Sequence, residues 1–553
     1  MQIKNWKINK LTEKAFVLAK SYNILPIIAQ ILLNRDINES DFYSFLNPSL
    51  PMLYSAKLLP DIDKAVERIR YAISNNQKIF VLGDYDVDGI TSLAIFYNFI
   101  KDYKNFCFYI PDRIKDGYGL TKKVVEKAKE LNADLLICFD CGTNSNSEIE
   151  LAKKYNIDTI VVDHHCIKNN INAFSFINPK RKDSNYPFCH LSSAALSFKL
   201  LQELKNNPCY DVLDLVSLSL VCDVVPICGE NRILLKEGLN KLKKTPSPWL
   251  NALCDVSKIK KENIDVFHLG YILGPRINAA GRVAYAKDSL DIFLTDKKEI
   301  ALNLASKLQE YNQVRKSIEL KILQEAESII ERELINDYAF IVYGDNWHPG
   351  VLGIVASKLV EKYYRPSFVF SFKDNILKGS ARSIESIHLI EVLDKCSELL
   401  NLYGGHKKAA GLEIDKENLD KFRGKLNFII SNYAKDISFS PTLEIDLNLS
   451  FKDISLRLLE EIKKLEPFGE ENPKPLFATF GVLKRSDIKK INNHYSLWLT
   501  NNNITLEGIF YDKELIDTVL FSDKIDIVYE LDYNNYYNAI RLIIKDIRIN
   551  KDA

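Results

Sequence analysis

The chain has 553 residues, more than one hydrophobic core supports, so two to four domains are expected. Hydrophobic residues make up 46% and charged residues 27%, the balance of an ordinary globular protein, and no run of about eighteen apolar residues occurs, which excludes a membrane-spanning helix of that kind. Lys and Arg number 74 against 73 Asp and Glu, so the net charge is +1; a nucleic-acid partner has no bulk electrostatic case and any basic surface must be local.

The first residues carry Lys4, Lys7, Lys10, Lys14 and Lys20 among short apolar groups, with no long apolar stretch and no small-residue cleavage site, and do not read as a secretory signal. Ten cysteines, mostly inside apolar runs, read as reduced core thiols of a cytoplasmic protein. Cys138-Phe139-Asp140-Cys141 has C-x-x-C spacing, but neither a second pair nor a thioredoxin-like setting accompanies it, which disfavours a redox or zinc site.

Residues 1–50 read as short helices with a loop at Asn47-Pro48, and 61–74 as a helix with Ile62, Ala65, Ile69 and Ala72 on one face. The apolar run at 78–82 is short enough for a buried strand, and 90–100 read as a helix. Between them Asp84, Asp86 and Asp88 fall at alternate positions, where a strand hands over to a helix and open α/β sheets bind ligands. Three carboxylates so close repel one another unless a cation lies between them. Capping the helix explains one of them and not three, so the pattern points to a divalent metal site.

The alternation continues with strands at 106–110, 135–139 and 159–162 and helices at 122–131 and 147–155, which predicts a parallel sheet covered by helices. The 106–110 strand leads into Pro111-Asp112-Arg113 and the Gly117-Tyr118-Gly119 turn; the next two end at Asp140-Cys141-Gly142 and at Asp163-His164-His165. Parallel strands bring such ends to one edge, and mixed carboxylate and imidazole donors suit Mn²⁺ or Mg²⁺ better than a thiolate zinc site. Asp223 is a further candidate, because an acid in so apolar a stretch as 218–226 needs a partner that a metal supplies.

Asp84-Tyr85-Asp86-Val87-Asp88-Gly89, Asp140 with Cys141-Gly142, Asp163-His164-His165 and Asp223 resemble the motifs of the DHH phosphoesterase superfamily. Gly274-Pro275-Arg276-Ile277-Asn278-Ala279-Ala280-Gly281-Arg282 narrows the resemblance to the RecJ family of single-strand-specific 5′-to-3′ exonucleases. Trp347-His348-Pro349-Gly350, Gly379-Ser380-Ala381-Arg382-Ser383 and Gly404-Gly405-His406 agree with it, although Ala381 stands where RecJ-like proteins usually have Gly. The resemblance implies a pair of Mn²⁺ or Mg²⁺ ions held by Asp86, Asp88, Asp140, His164 and Asp223, with Asp84 ligating or orienting its neighbours. It implies that Asp163 orients or bridges and that His165 meets a phosphate near the metals, both at the catalytic centre. On the substrate side it implies Arg113, and Arg276 in a Gly-Pro-Arg-Ile-Asn loop, at a terminal phosphate, where a guanidinium matches two oxygens, and Asn278, Arg282, His348, Ser380, Arg382 and His406 as further contacts.

Residues 296–334 lack Gly and Pro and repeat apolar residues at helical spacing, with Asp296 and Glu299 as a capping box; this reads as one connecting helix roughly 50 Å long. A second α/β unit follows, with strands at 339–343 and 367–372 and a helix at 352–363, and with His348, Arg382 and His406 at Gly-flanked turns. From about 441 a strand with Leu443, Ile445, Leu447 and Leu449, a helix at 456–465 and several short β segments suggest a small closed barrel, which the resemblance makes an OB-fold. Lys484, Arg485, Lys489, Lys490, Tyr495 and Trp498 mix cations with aromatics as a single-strand platform does.

The expected division is 1–50 helical, 51–295 catalytic, 296–335 connecting helix, 336–435 DHH-associated substrate domain and 436–553 barrel. The function this implies is a metal-dependent exonuclease that degrades single-stranded DNA from its 5′ end to mononucleotides in repair and recombination. Single-strand-binding protein and a helicase are the expected partners, and the protein is expected to be a cytoplasmic monomer with no membrane partner. The alternatives are a DHH phosphodiesterase of short oligonucleotides or cyclic dinucleotides, which the C-terminal barrel disfavours, and an inactive scaffold, which the intact acidic residues disfavour.

Overall fold

The computed structural model describes residues 4–113, 115–433, 439–534 and 537–550. The chain divides into two compact units. The larger comprises Leu53–Val225 and Ile233–Phe439, and the smaller Met1–Met52, Pro226–Arg232 and Ser440–Ala553.

In the larger unit a five-stranded sheet runs in the order Phe106–Tyr109, Ile79–Gly83, Leu135–Phe139, Asp158–Val162, Ser175–Ile177, every pairing parallel. Ile79–Gly83 and Leu135–Phe139 are buried at every position, which is why they read as unbroken apolar runs rather than alternating ones. Helix Val87–Ile100 packs against Ser193–Lys205 and Leu213–Cys222. The fifth strand, Ser175–Ile177, is not foreseen from the sequence because three residues carry no usable periodicity.

Two expectations are corrected in this unit. Gly274–Val283 is a helix and not a loop: Pro275 sits in its first turn, where a missing N–H costs nothing. The connecting helix, Lys298–Ile329, begins at Lys297 with no side-chain cap, because Asp296 lies one residue too early; it ends in a π-helical turn, Ile330–Leu334.

The second sheet of this unit is mixed, in the order Leu402–Gly405, Ala409–Asp415, Ile376–Arg382, Ser367–Lys373, Phe340–Asp345. Arg382 therefore closes a strand rather than occupying a turn, since pairing on both sides overrides the glycine signal at Gly379. Alternation along that strand buries the Ala381 methyl in the core beneath the sheet and turns Ser380 and Arg382 to the other face.

The smaller unit holds a seven-stranded sheet from Leu447–Asn448 to Ala539–Ile549, closed where Leu483 and Lys484 pair with Thr500 and Leu499. The predicted 443–449 strand is two strands. Asp446 breaks it: its backbone N–H donates to the Leu476 carbonyl (2.8 Å) while its carboxylate accepts the Leu476 N–H (3.0 Å). The first half, Thr442–Ile445, pairs in parallel with Asn5–Ile8, and the N-terminal helices share one apolar core with the barrel. No single helix among the described residues is long and apolar enough to cross a membrane.

Arg232 ties this unit together. Its buried guanidinium donates to the carbonyls of Phe45, Leu465, Pro467, Lys464 and Glu466 and lies 4.1 Å from the Phe45 ring centroid. Arg232→Ala orphans those carbonyls, and each buried unpaired group costs about 1–3 kcal/mol. The expected outcome is a loss of at least about 3 kcal/mol, as breaking a buried hydrogen-bond network gives, read as a lowered urea midpoint of the unit that carries the barrel.

Candidate metal centre and phosphate pocket

The parallel sheet delivers its acidic strand ends to one edge. Asp86 caps helix Val87–Ile100, its Oδ1 accepting the N–H groups of Asp88 (3.0 Å) and Gly89 (3.2 Å). Asp88 lies at the sheet edge yet is fully buried. Its Oδ2 accepts the Ser193 N–H (2.8 Å), and its Oδ1 the Ala194 N–H (2.8 Å) and the Ser219 hydroxyl (2.6 Å). The N-terminus of helix Ser193–Lys205 thus partners this carboxylate, as helix dipoles favour.

Other atoms have no protein partner. Asp84 Oδ1, Asp140 Oδ1, Asp223 Oδ2 and His164 Nε2 are all buried without a hydrogen bond. His164 Nε2 faces Asp140 Oδ1 at 3.4 Å, Asp223 Oδ2 at 3.4 Å and Asp88 Oδ2 at 3.6 Å. Burial first, and then the neighbouring carboxylates, push the Asp84, Asp140 and Asp223 carboxyls well above the usual range. Burial lowers the His164 imidazole to about 4, so near neutral pH it is an uncharged donor. Acidic groups whose ionisation burial and mutual repulsion oppose, and a neutral imidazole, converging with no protein donor between them are what a divalent cation partners. Three sets of donor atoms among the described residues lie mutually within 4.8 Å: Asp84/Asp86/Asp140, Asp88/His164/Asp223 and Asp140/Asp163/His164/His165.

Asp163 differs: its oxygens are fully used. Oδ1 accepts the backbone N–H groups of His164 (2.7 Å) and His165 (3.2 Å) and lies 2.6 Å from His165 Nδ1, while Oδ2 accepts the Thr143 N–H (3.0 Å). Burial alone would lower the His165 pKa, but the bond to Asp163 and the surrounding carboxylates outweigh it and raise it to about 9. Its Nε2 lies 3.2 Å from the Tyr118 hydroxyl.

Several supports were invisible in the sequence. Asn178 Nδ2 donates to the His165 carbonyl (3.0 Å) and Lys180 Nζ to the His164 carbonyl (2.5 Å), both just beyond the short fifth strand. That strand end was the missing signal; Ser193, Ala194 and Ser219 carried none.

A cavity of about 150 Å³ adjoins the acidic edge, lined by Asp84, Tyr85, Asp86, Arg113, Tyr118, Asn278 and Arg282. Arg113 lies over the Tyr85 ring at 5.2 Å. Asn278 Oδ1 accepts the Val87 N–H (2.9 Å), fixing its helix on the acidic loop. Burial, and then repulsion from Arg113 and Arg315, lower Arg282 to about 10. Burial and Arg113 likewise lower Arg382 and His348, and burial and Arg382 lower His406, so these basic groups share one neighbourhood. Ser380 belongs with them, since a Cβ on Gly353 would lie 3.2 Å from Arg382 Nη2 and 3.6 Å from Ser380 Oγ. Arg276, expected beside Arg113, is turned elsewhere: its Nε donates to Gln309 Oε1 (2.8 Å) and its Nη1 to the Ile272 carbonyl (2.5 Å). Because residues 274–283 form a helix, Arg282 and Asn278 face the cavity and Arg276 faces the connecting helix.

The helix Pro349–Tyr363, which packs on the second sheet, reaches this pocket through backbone. Arg282 Nη1 donates to the Gly350 carbonyl (3.1 Å), and a Cβ on Gly350 would lie 2.2 Å from the Arg282 carbonyl oxygen. His348 caps the same helix, its Nδ1 accepting the Gly350 N–H (3.1 Å).

Comparison with known proteins agrees with this architecture. The N-terminal domain of the DHH family matches residues 78–220, the DHHA1 domain 336–432 and the RecJ OB domain 445–546. The single-stranded-DNA-specific exonuclease RecJ of Bacillus subtilis is 31% identical over 564 residues, covering 99% of this chain and 71% of that protein. The chain belongs to the RecJ family. The crystal structure of RecJ in complex with Mn²⁺ from Thermus thermophilus shares the fold, with a TM-score of 0.84 at 24% identity over 99% of this chain and 80% of that one. A crystal structure of exonuclease RecJ bound to manganese matches with a TM-score of 0.61 at 27% identity, covering 70% of this chain and 98% of that one. Within this RecJ-family chain the contact at Gly350 admits no side chain. Gly350→Ala is expected to destabilise the larger unit by about 1–3 kcal/mol, the usual penalty of overpacking, measured by denaturant unfolding.

Proposed function

We propose that this protein is a metal-dependent exonuclease that removes mononucleotides from the 5′ end of single-stranded DNA. The cationic cavity carries the reading: Arg113 and Arg282 stand beside Asp84 and Asp86, so a terminal phosphate held by the guanidiniums leaves the next phosphodiester at the acidic edge. The Bacillus subtilis relative is named for this activity, and the 27%-identical neighbour was solved with manganese.

The donor set fits two hard divalent ions, Mn²⁺ or Mg²⁺, one held by Asp84, Asp86 and Asp140 and one by Asp88, His164 and Asp223. Bound there, such ions polarise the phosphodiester and lower the pKa of attacking water. Asp163 orients His165, whose charged ring faces the reacting phosphate. Arg113 and Arg282, with Asn278 holding the helix of Arg282 in register, stop the 5′ end. His348, Ser380, Arg382 and His406 take the phosphates of the strand, and Arg276 serves the connecting helix instead of the terminus.

We keep 51–295 as the catalytic domain, 296–335 as the connecting helix, 336–435 as the substrate domain and 436–553 as the barrel, with 1–50 joined to it. An enzyme restricted to single strands needs them supplied, so we infer a single-strand-binding protein and a helicase as partners of a cytoplasmic monomer.

Asp223→Asn tests the centre, because Asp223 Oδ2 has no protein partner to lose. Mn²⁺ binding by calorimetry and hydrolysis of a 5′-labelled single strand are both expected to fall at least about a hundredfold, since even outer-shell partners of a metal cost about 10–100-fold. Undiminished hydrolysis would remove Asp223 from the site. Arg282→Lys tests the pocket while keeping the charge. The preference for 5′-phosphorylated over 5′-hydroxyl ends is expected to drop roughly tenfold or more, as charge-assisted bonds are worth about 1.5–3 kcal/mol. Equal losses on both kinds of end would show that no terminal phosphate binds there.

A further inference from the structure

The connecting helix Lys298–Ile329 carries buried charge at its middle. Asn312, Arg315 and Glu319 recur at helical spacing on one face, and all three are buried. Arg315 Nη2 donates to Asn312 Oδ1 (2.7 Å) and Nη1 to Glu319 Oε2 (2.5 Å), while its buried Nε has no partner. The other Glu319 oxygen, Oε1, lies 2.5 Å from Lys358 Nζ, on helix Pro349–Tyr363. Two cations therefore share one carboxylate, and among the described residues neither pairs with another. The Lys358 side chain is half-exposed and screened by water; Arg315 is neither screened nor fully neutralised.

Both neighbouring helices lead to the cationic pocket. Lys358 shares its helix with Gly350, whose carbonyl accepts from Arg282 Nη1 (3.1 Å), and with Gly353, where a Cβ would lie 3.2 Å from Arg382 Nη2. Helix Gly274–Val283, which carries Asn278 and Arg282, packs along the connecting helix, and its Arg276 Nε donates there to Gln309 Oε1 (2.8 Å). Arg315 is not among the residues that line the cavity, yet its charge reaches Arg282, which burial and then Arg113 and Arg315 lower to about 10.

A buried ion pair is an expensive way to join helices, since apolar residues of similar volume often do as well. Buried charge does act at a distance, because little water or salt screens it. A terminal phosphate carries about −1.5 to −2 near neutral pH, whereas each internal phosphodiester carries a single negative charge. A cation held behind the pocket therefore favours the terminal group over the rest of the strand.

We propose that Arg315, without touching the substrate, sets the preference of the neighbouring pocket for a 5′-phosphorylated end, and that Glu319 moderates it from the far side. Arg315 is thus a positioning residue that acts through Arg282. The proposal rests on the reading above, in which that pocket takes the 5′ phosphate.

The experiment compares hydrolysis of a 5′-phosphorylated and a 5′-hydroxyl single strand of one sequence in Mn²⁺, with kcat and KM measured on each. Arg315→Met keeps the bulk and removes the charge. Its KM on the phosphorylated strand is expected to rise about fivefold or more, the order of one unit charge acting across a partly screened medium, with kcat unchanged and KM on the 5′-hydroxyl strand changed less. Glu319→Gln keeps the shape and leaves Arg315 without its counter-charge, so KM on the phosphorylated strand is expected to stay level or fall. A network that only braces the helices would lose preference in both variants alike. That result, an unchanged preference in Arg315→Met, or an equal rise of KM on both strands would overturn the proposal. Circular dichroism and the urea midpoint report whether each variant folds. Where Arg315→Met does not, Arg315→Gln removes the same charge with a polar side chain and is read by the same criteria. A wild-type protein that hydrolyses both strands equally well would instead overturn the reading of the pocket on which the proposal rests.

Discussion

Burying like charges together is the constraint on which the larger unit depends. Asp84, Asp140 and Asp223 carry oxygens with no protein donor, and His164 turns an unpartnered nitrogen toward three carboxylates. Left alone, such groups lose their charge or disrupt the fold. Around them the chain spends its donors selectively. Asp88 receives two backbone N–H groups and a hydroxyl, Asp86 caps a helix, and Asp163 is saturated by four donors, so these groups have fixed orientations before any ion arrives. At the acidic edge the buried atoms left unpaired are Asp84 Oδ1, Asp140 Oδ1, Asp223 Oδ2 and His164 Nε2.

The cationic pocket beside the acidic edge obeys a different rule, close approach of backbone. Gly281 lets its helix lie on the Tyr85 carbonyl, where a Cβ would come within 2.6 Å, and Gly350 lets the second sheet's helix lie on the Arg282 carbonyl. Loop, helix and helix are thereby stacked with no side chain between them. The position of Arg282 is set from both sides, by the acidic loop beneath and by the Gly350 carbonyl above. Arg282 is repelled by Arg113 and Arg315, and Arg382 by Arg113, in surroundings partly shielded from water; an anion bound among them relieves that repulsion.

The smaller unit shows how a distant part of the sequence is recruited into a fold. Asn5–Ile8 pairs with Thr442–Ile445, and Arg232 gathers carbonyls from Phe45 and from the 464–467 segment. Neither contact has a local sequence signal, because each side chain acquires its partners only after residues hundreds of positions apart have met.

The sequence by itself determined the parallel sheet and the acidic edge. Its strands are buried on both faces and so appear as short apolar runs, and chemistry-bearing residues must follow at their ends: Asp84, Asp86 and Asp88, then Asp140, then Asp163, His164 and His165. Asp223 was also legible, as an acid in an apolar context. Only the tertiary structure decided what each group does with its oxygens. Asp163 and Asp86 look alike in sequence to Asp84, yet their donors come from neighbouring turns, while Asp88 is satisfied by a helix that begins about a hundred residues later. It likewise decided that Arg282 and not Arg276 faces the cavity, since a helix at 274–283 separates the two by direction, and Gly-Pro spacing alone cannot distinguish the first turn of a helix from a loop.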